Sequence, residues 1–256
     1  MIPNNYGGNI VQNLTDELGD FASGRFDLVN GAPYEYFMLK LLNNSEYLVD
    51  GLGSFTIYVL DKGQQAKIKI SGVTEGIDEG CAIQCEAARV KLCVSDGAAT
   101  MLVAGTVKGV STQPKVTLTQ SENIHKVTKP WGHELWINGQ HPAYAIKQIF
   151  IKNKTKTSLQ FHNFKQETNI LFDGEARLHF KNDPQKDNLK VNDKDIDNVL
   201  ISAISSIDVR PPILHRLEAE GDILLYEVST AHLDDVIRVK DDTKRPDGRL
   251  EKEHGE

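Results

Sequence analysis

Four polar residues in the C-terminal half have the types and spacing of a site for one divalent metal ion: Gln160, His162, Glu167 and His215. Gln160 and His162 are two positions apart, so on a β-strand their side chains point to the same face. Glu167 breaks that parity, but a turn through residues 163–166 would restore it. Two imidazoles, a carboxylate and an amide oxygen from three strand segments form a ligand set that a divalent ion accepts.

The segments around these residues have the pattern of short strands. Residues 168–172 form an apolar run that ends at Asp173-Gly174, and a second run follows at 175–180. Asp-Gly between two such runs predicts a hairpin, because glycine accepts the positive φ of a tight turn. His215 then comes directly after a Pro-Pro pair and two apolar residues.

Strand patterns dominate the rest of the chain. They recur at 55–60, 66–71, 87–94, 101–107, 144–152, 158–162, 167–172, 175–180, 199–203 and 222–228. Helical periodicity is weak, and the best helix candidates are the short segments 13–21 and 34–42. Short strands at regular spacing predict an all-β protein of the barrel or sandwich type. Two consecutive blocks of strands, which meet near 112–125, predict two antiparallel β-barrels.

The histidines divide the chain unevenly. All eight lie at or after His125, so the N-terminal block has no imidazole with which to hold a metal ion. We therefore predict a degenerate barrel without metal ligands over residues 1–118. The second domain, residues 119–256, would bind the metal and end in a charged tail. A homodimer formed through edge strands is a further expectation, because pairing removes exposed sheet edges.

Composition limits the partners. The formal net charge is −7 and the pI is near 5.6, which argues against a nucleic-acid-binding surface. No apolar run reaches the length of a membrane span, and the N-terminal residues lack the pattern of a signal peptide. The expectation is a cytoplasmic protein with no nucleic-acid or membrane partner. Cys81, Cys85 and Cys93 could form a metal or redox cluster, but buried thiols are favoured because no histidine or fourth cysteine lies nearby.

The C-terminal half resembles a cupin barrel. The first cupin motif ends in Glu, six residues and Gly, as from Glu167 to Gly174, and the second places Pro shortly before a ligand His, as Pro212 and His215 do. Within the cupins the chain resembles the type II mannose-6-phosphate isomerase domain over about 126–246. The blocks that carry this resemblance keep the family's order: 129–136, 145–152, 158–162, 212–228 and 234–245.

The resemblance implies a bicupin in which the C-terminal barrel carries the metal site. Most cupins supply His-x-His at the first motif, whereas Gln160-x-His162 with Glu167 and His215 looks like the zinc site of mannose-6-phosphate isomerases. One departure is Phe164, which stands where the family has a histidine. The implied cofactor is one divalent ion, zinc in the first place, with Mn, Fe, Co or Ni as alternatives.

The implied activity is aldose–ketose isomerisation of a sugar phosphate, with mannose 6-phosphate as the first candidate substrate. The catalytic candidates in family-matched blocks are Lys147, Glu227 and Arg238. Asp235 is a further candidate base, and Arg238 is a candidate for binding the phosphate. Two alternatives stay open: a sugar-binding cupin without catalysis, and a metal-dependent cupin oxygenase. The ligands also have a simpler interpretation, since histidines can be core residues and Gln160 could bond only to the backbone.

Overall fold

The computed structural model describes residues 10–29, 31–86, 89–107, 115–182, 191–243, 245–246 and 248–249. The chain forms two compact units, each made of segments that are distant in sequence. The first unit comprises the chain up to Thr15, Val127–Glu134 and the chain from Gln148 onward. The second comprises Asp16–Lys126 and Leu135–Lys147. The boundary predicted at 118/119 stays a prediction, and these units differ from it because each is assembled from non-contiguous segments.

Apart from a short 3₁₀ helix, Asp193–Asp195, the first unit is built from β-strands. They are β1 (Val11–Asn13), β11 (His125–Lys129), β12 (Gly132–Trp136), β13 (Tyr144–Ile151), β14 (Leu159–Phe161), β15 (Glu167–Asp173), β16 (Glu175–Lys181), β17 (Asp197–Ser202), β18 (Ser205–Val209), β19 (Leu214–Ala219), β20 (Ile223–Thr230), β21 (Ile237–Lys240) and β22 (Gly248–Arg249). One sheet has the order β1-β18-β15-β20 and continues through β13, β12 and β11. The other has the order β17-β16-β19-β14-β21-β22.

The second unit has a similar arrangement of two sheets, and a short 3₁₀ helix, Ser121–Asn123, also belongs to it. Its elements are the helix α1 (Thr15–Gly19) and the strands β2 (Gly24–Asp27), β3 (Glu35–Leu41), β4 (Ser45–Asp50), β5 (Ser54–Lys62), β6 (Lys67–Ile70), β7 (Ala82–Glu86), β8 (Arg89–Ser95), β9 (Ala99–Thr106) and β10 (Lys115–Thr119). Its sheets have the orders β10-β7-β5-β9-β3-β2 and β4-β8-β6. The prediction of an all-β chain with two cupin-like units is confirmed, although the sheets stay open in the manner of a jelly roll instead of closing into barrels.

Two local predictions were wrong. The segment 34–42, a helix candidate, forms strand β3, which pairs with β2 on one side and β9 on the other. Its apolar residues are buried on both faces, as a central strand requires. Asp173-Gly174 is not a hairpin, because β15 and β16 belong to different sheets. Gly174 (φ +88°) provides the left-handed conformation at which the chain passes from one sheet to the other.

Other expectations concern regions that are only partly described. Residues 112–114 of the segment where the two blocks were expected to meet, and residues 250–256 of the charged tail, lie outside the described residues. Cys81, Cys85 and Cys93 are all free thiols, of which Cys81 and Cys85 are buried. None of the helices among the described residues is long and apolar enough to cross a membrane.

Candidate metal centre

Three of the four predicted ligands meet inside the first unit. His162 follows the end of β14, Glu167 begins β15, and His215 lies on β19. One nitrogen of each imidazole and one oxygen of the carboxylate lie within 4.8 Å of one another, and all three side chains are buried. The turn between His162 and Glu167 therefore has the effect that the sequence predicted, because it returns the carboxylate to the face that carries the histidines.

The hydrogen bonds of the two imidazoles direct a lone pair into this site. His162 donates its Nδ1–H to the backbone carbonyl of Asp235, and His215 donates its Nδ1–H to the carbonyl of Ile213, 3.1 Å away. A carbonyl oxygen can only accept, so both Nδ1 atoms carry the hydrogen and both Nε2 atoms are unprotonated in the neutral rings. Backbone acceptors of this kind fix the tautomer of metal-binding histidines in other proteins.

The Nε2 atoms of both rings lie close to Glu167. His215 Nε2 lies 3.1 Å and His162 Nε2 lies 3.5 Å from one of its oxygens, so in the neutral rings their lone pairs face an anionic carboxylate. His162 Nε2 is buried and has no hydrogen-bond partner. A buried polar atom without a partner is costly, and a divalent ion between these three groups would remove that cost. The residues present therefore fit the implied metal.

Gln160 lies beside this group. On the paired strands it stands directly opposite His215 on one side and Arg238 on the other, so the three side chains share a face of the sheet. Its amide oxygen accepts a hydrogen bond of 2.8 Å from the Ser158 hydroxyl. Coordination by Gln160 stays a prediction.

A buried lysine, which the sequence did not single out, is part of the centre. Lys165 is 5% exposed, and its ammonium donates to Glu167 Oε2 and, over 3.0 Å, to Glu227 Oε1. Burial favours the neutral forms, but the opposite charges prevail. They raise the pKa of Lys165 and hold the pKa of Glu167 well below its usual range. Only the position of Lys165, two residues before the ligand Glu167, could have drawn attention to it.

The Asp235 carboxylate is bonded to the turn between His162 and Glu167. Its Oδ2 accepts the backbone N–H groups of Phe164 and Lys165, while its own carbonyl accepts from His162. Phe164, the departure from the family pattern, is 69% exposed. Asp235 therefore links the turn to one metal ligand, and this role is distinct from the general base that we considered for it.

The remaining catalytic candidates lie in different surroundings. Glu227 is buried and stands opposite Asn169, whose amide donates to Glu167 Oε1 over 3.3 Å. Arg238 is buried and donates to the carbonyl of Pro246 over 3.0 Å. Lys147 belongs to the second unit, where its ammonium lies 4.9 Å from the centre of the Trp136 ring. Glu227 thus joins the centre through Lys165, and the catalytic roles of all three stay predictions.

Comparison with known proteins agrees with this picture. Residues 117–241 match the family model described as mannose-6-phosphate isomerase C-terminal. Among solved structures, the oxalate decarboxylase of Lactobacillus farciminis in its formate complex is similar with a TM-score of 0.65 and 10% identity, covering 90% of this chain and 88% of that one. An IolB-like protein from Salmonella typhimurium has a TM-score of 0.63 and 12% identity, covering 88% and 94%.

A further solved structure, the protein Ylba from Escherichia coli, has a TM-score of 0.60 and 11% identity, covering 81% of this chain and 83% of that one. At these identities the structural likeness shows the fold alone. A search of curated proteins by sequence gave no match. The chain has a cupin-like fold, and its residues 117–241 are similar to the C-terminal domain of mannose-6-phosphate isomerases.

Proposed function

We propose that this protein is a metal-dependent aldose–ketose isomerase that acts on a sugar phosphate, with mannose 6-phosphate as the first candidate. The observation that carries the proposal is the buried cluster of His162, Glu167 and His215, within a segment that matches the mannose-6-phosphate isomerase family. His162, Glu167 and His215 would hold the ion, and Gln160 is the candidate fourth ligand. The cofactor would be zinc, with Mn, Fe, Co or Ni as alternatives.

The chemistry requires a proton to move between neighbouring carbons of the sugar. The bound ion would supply a Lewis acid that polarises the carbonyl oxygen. Glu227 is the candidate base: its carboxylate would accept the proton from one carbon and return it to the next. The Lys165 ammonium, 3.0 Å from Glu227, would donate a hydrogen bond to the oxygen on which negative charge develops.

Arg238 is the candidate group for the phosphate of the substrate. It stands in register with Gln160 on the face that also carries His215, so a sugar bound at the centre would lie on its side of the sheet. We expect Arg238→Ala to raise KM for a phosphorylated sugar more than for the free sugar, because a charge-assisted hydrogen bond contributes about 1.5–3 kcal/mol. Equal effects on both sugars would remove Arg238 from the phosphate site.

The decisive experiment combines metal reconstitution with a substrate screen. The purified chain is stripped of metal, reloaded separately with zinc, manganese, iron, cobalt or nickel, and incubated with mannose 6-phosphate, fructose 6-phosphate and other hexose and pentose phosphates. Interconversion that depends on the metal, with solvent deuterium entering the product, is the expected result. His215→Ala should abolish it, whereas His179→Ala, which removes a histidine bonded to Glu218 on a neighbouring strand, should retain it.

The screen also separates the alternative functions. Binding of sugars without turnover of any hexose or pentose phosphate would favour a sugar-binding cupin without catalysis. Activity that needs iron and consumes oxygen would favour an oxygenase. A cytoplasmic location and a homodimer stay predictions, which fractionation and light scattering can test.

A further inference from the structure

The ammonium of Lys165 places a positive charge inside the metal centre that belongs to the protein itself. One ammonium and two carboxylates, those of Glu167 and Glu227, form a buried group with a net charge of −1. All three side chains are at most 8% exposed, so water screens these charges poorly. Each buried carboxylate thus has a cationic partner before any metal binds.

The same ammonium contacts the carboxylate that would bind the metal. Glu167 Oε2 accepts from Lys165 and also faces His162 Nε2 at 3.5 Å. An ion placed between His162, Glu167 and His215 would therefore share this carboxylate with Lys165. Two cations on one carboxylate repel each other, and the repulsion is strong where water is excluded.

Lys165 is not needed merely to hold the carboxylate in place. Asn169 donates to Glu167 Oε1 over 3.3 Å from two residues along the same strand. The backbone of Glu167 is fixed on both sides, by β18 and by β20. Removal of the lysine would thus leave the ligand oriented while changing the charge around it.

We propose that Lys165 is an internal counter-ion, which stabilises the metal-free centre and keeps the affinity for a divalent ion lower than the ligands alone would give. The centre is then able to exchange its ion and does not depend on the ion for folding. This inference rests on the metal site of the proposed function, but not on the sugar chemistry.

The charge of the group can be varied in steps to test this. Lys165→Met changes the net charge from −1 to −2, Glu227→Gln changes it to 0, and the double variant restores −1 without the ammonium. With zinc as the probe and a chromophoric chelator as competitor, we expect Lys165→Met to lower Kd by at least about tenfold and Glu227→Gln to raise it by at least about tenfold. The double variant should fall between the two single variants.

Thermal unfolding provides a second measurement. Without metal, Lys165→Met should unfold at a lower temperature than the natural protein, because two buried carboxylates lose their cation. Added zinc should raise its unfolding temperature by more than that of the natural protein. Lys152→Met, which removes an exposed lysine of the same unit, is the matched control and should change neither measurement.

Opposite outcomes would overturn the proposal. Zinc binding by Lys165→Met that is no tighter than that of the natural protein would mean that the lysine supports the metal instead of opposing it. If Lys165→Met does not fold even with zinc present, an unchanged Kd in Glu227→Gln would be sufficient to reject the idea. The zinc affinities of the variants could follow the expected order while no sugar phosphate is turned over. That result would reject the proposed isomerase and leave the counter-ion role of Lys165 supported.

Discussion

The larger sheets of the two units share the order of five strands but enclose different interiors. In the first unit this order is β18-β15-β20-β13-β12, and in the second it is β7-β5-β9-β3-β2. The central strands β15 and β5 each have a register irregularity directly after a buried apolar residue, between Leu171 and Asp173 in one and between Val59 and Asp61 in the other. If Leu171 and Val59 are taken as equivalent positions, then Phe55 is equivalent to Glu167, four residues earlier in each strand. Ile57 is equivalent to Asn169, two residues earlier.

The neighbouring strands differ in the same way. Opposite Glu167 and Asn169, strand β20 carries Ser229 and Glu227. Opposite Phe55 and Ile57, strand β9 carries Gly105 and Val103. The first unit thus lines one end of its interior with polar groups, whereas the second fills that space with hydrocarbon.

Gly105 lies where two strands of the second unit approach closely. A Cβ atom at this position would collide with the Cβ of Phe55 and with the backbone of Ser54 and Phe55, so only glycine fits between β9 and β5. Phe55 is completely buried within a continuous apolar cluster. The fold itself therefore needs only apolar filling at these positions. Burying the charged side chains of Lys165, Glu167 and Glu227 in the first unit costs free energy of desolvation. Such a cost is expected where a site has a function.

The largest effect that would sharpen this contrast comes from making the first unit resemble the second. Glu167→Leu puts hydrocarbon at the position of the metal ligand, and we expect it to weaken zinc binding by more than about 100-fold, because it removes the anionic ligand and leaves two neutral imidazoles. Atomic absorption and chelator competition measure this effect. Zinc retained at the natural level in Glu167→Leu would show that the ion binds elsewhere.

In the second unit the same kind of change should affect stability instead of metal binding. Phe55→Ala removes a buried ring from a packed interior, and such substitutions cost about 3–5 kcal/mol of the free energy of unfolding. Denaturant titration measures this loss. Phe164→Ala is the matched control, because its ring is 69% exposed and its loss should change stability by less than about 0.5 kcal/mol. Equal losses in the two variants would mean that Phe55 is not a core residue.

Asp235 tests whether the first unit depends on the turn that presents its ligands. Asp235→Ala removes the carboxylate that accepts from the backbone of Phe164 and Lys165. The turn should loosen, and zinc affinity should fall about 10–100-fold, as it does for other residues that orient metal ligands. Asp234→Ala, at the exposed neighbouring position, should leave the zinc Kd within about threefold of its natural value. The same loss in both variants would assign the effect to surface charge and not to the turn.

The smallest effect concerns the thiols of the second unit. Burial raises the pKa of Cys85 to about 12, so almost none of it is thiolate at pH 8. Iodoacetamide should therefore modify the partly exposed Cys93 of the folded protein well before Cys85, and mass spectrometry of peptides would follow both sites. The two thiols should react alike after denaturation. Rapid modification of Cys85 in the folded protein would indicate that the apolar interior opens.

The sequence by itself determined the all-β class, the cupin resemblance and the convergence of His162, Glu167 and His215. These were predictable because alternation along strands and the spacing of the ligands are local properties of the chain. The predictions of a hairpin at Asp173-Gly174 and of a helix at 34–42 were wrong because such local patterns do not fix tertiary pairing. A turn signal does not say which strands will pair, and an apolar run does not say whether it lies in a helix or in a buried strand.

Tertiary structure alone decided the electrostatics of the site. Lys165 is an ordinary turn residue in the sequence, and it becomes part of the metal centre only because β20 brings Glu227 to within 3.0 Å of its ammonium. Asp235, a candidate base in the sequence, orients the turn because β14 and β21 are paired, which brings its backbone to His162. Charges and hydrogen bonds act over a few ångströms in space, so residues separated by 60 or more positions acquire a shared role only when the sheets have formed.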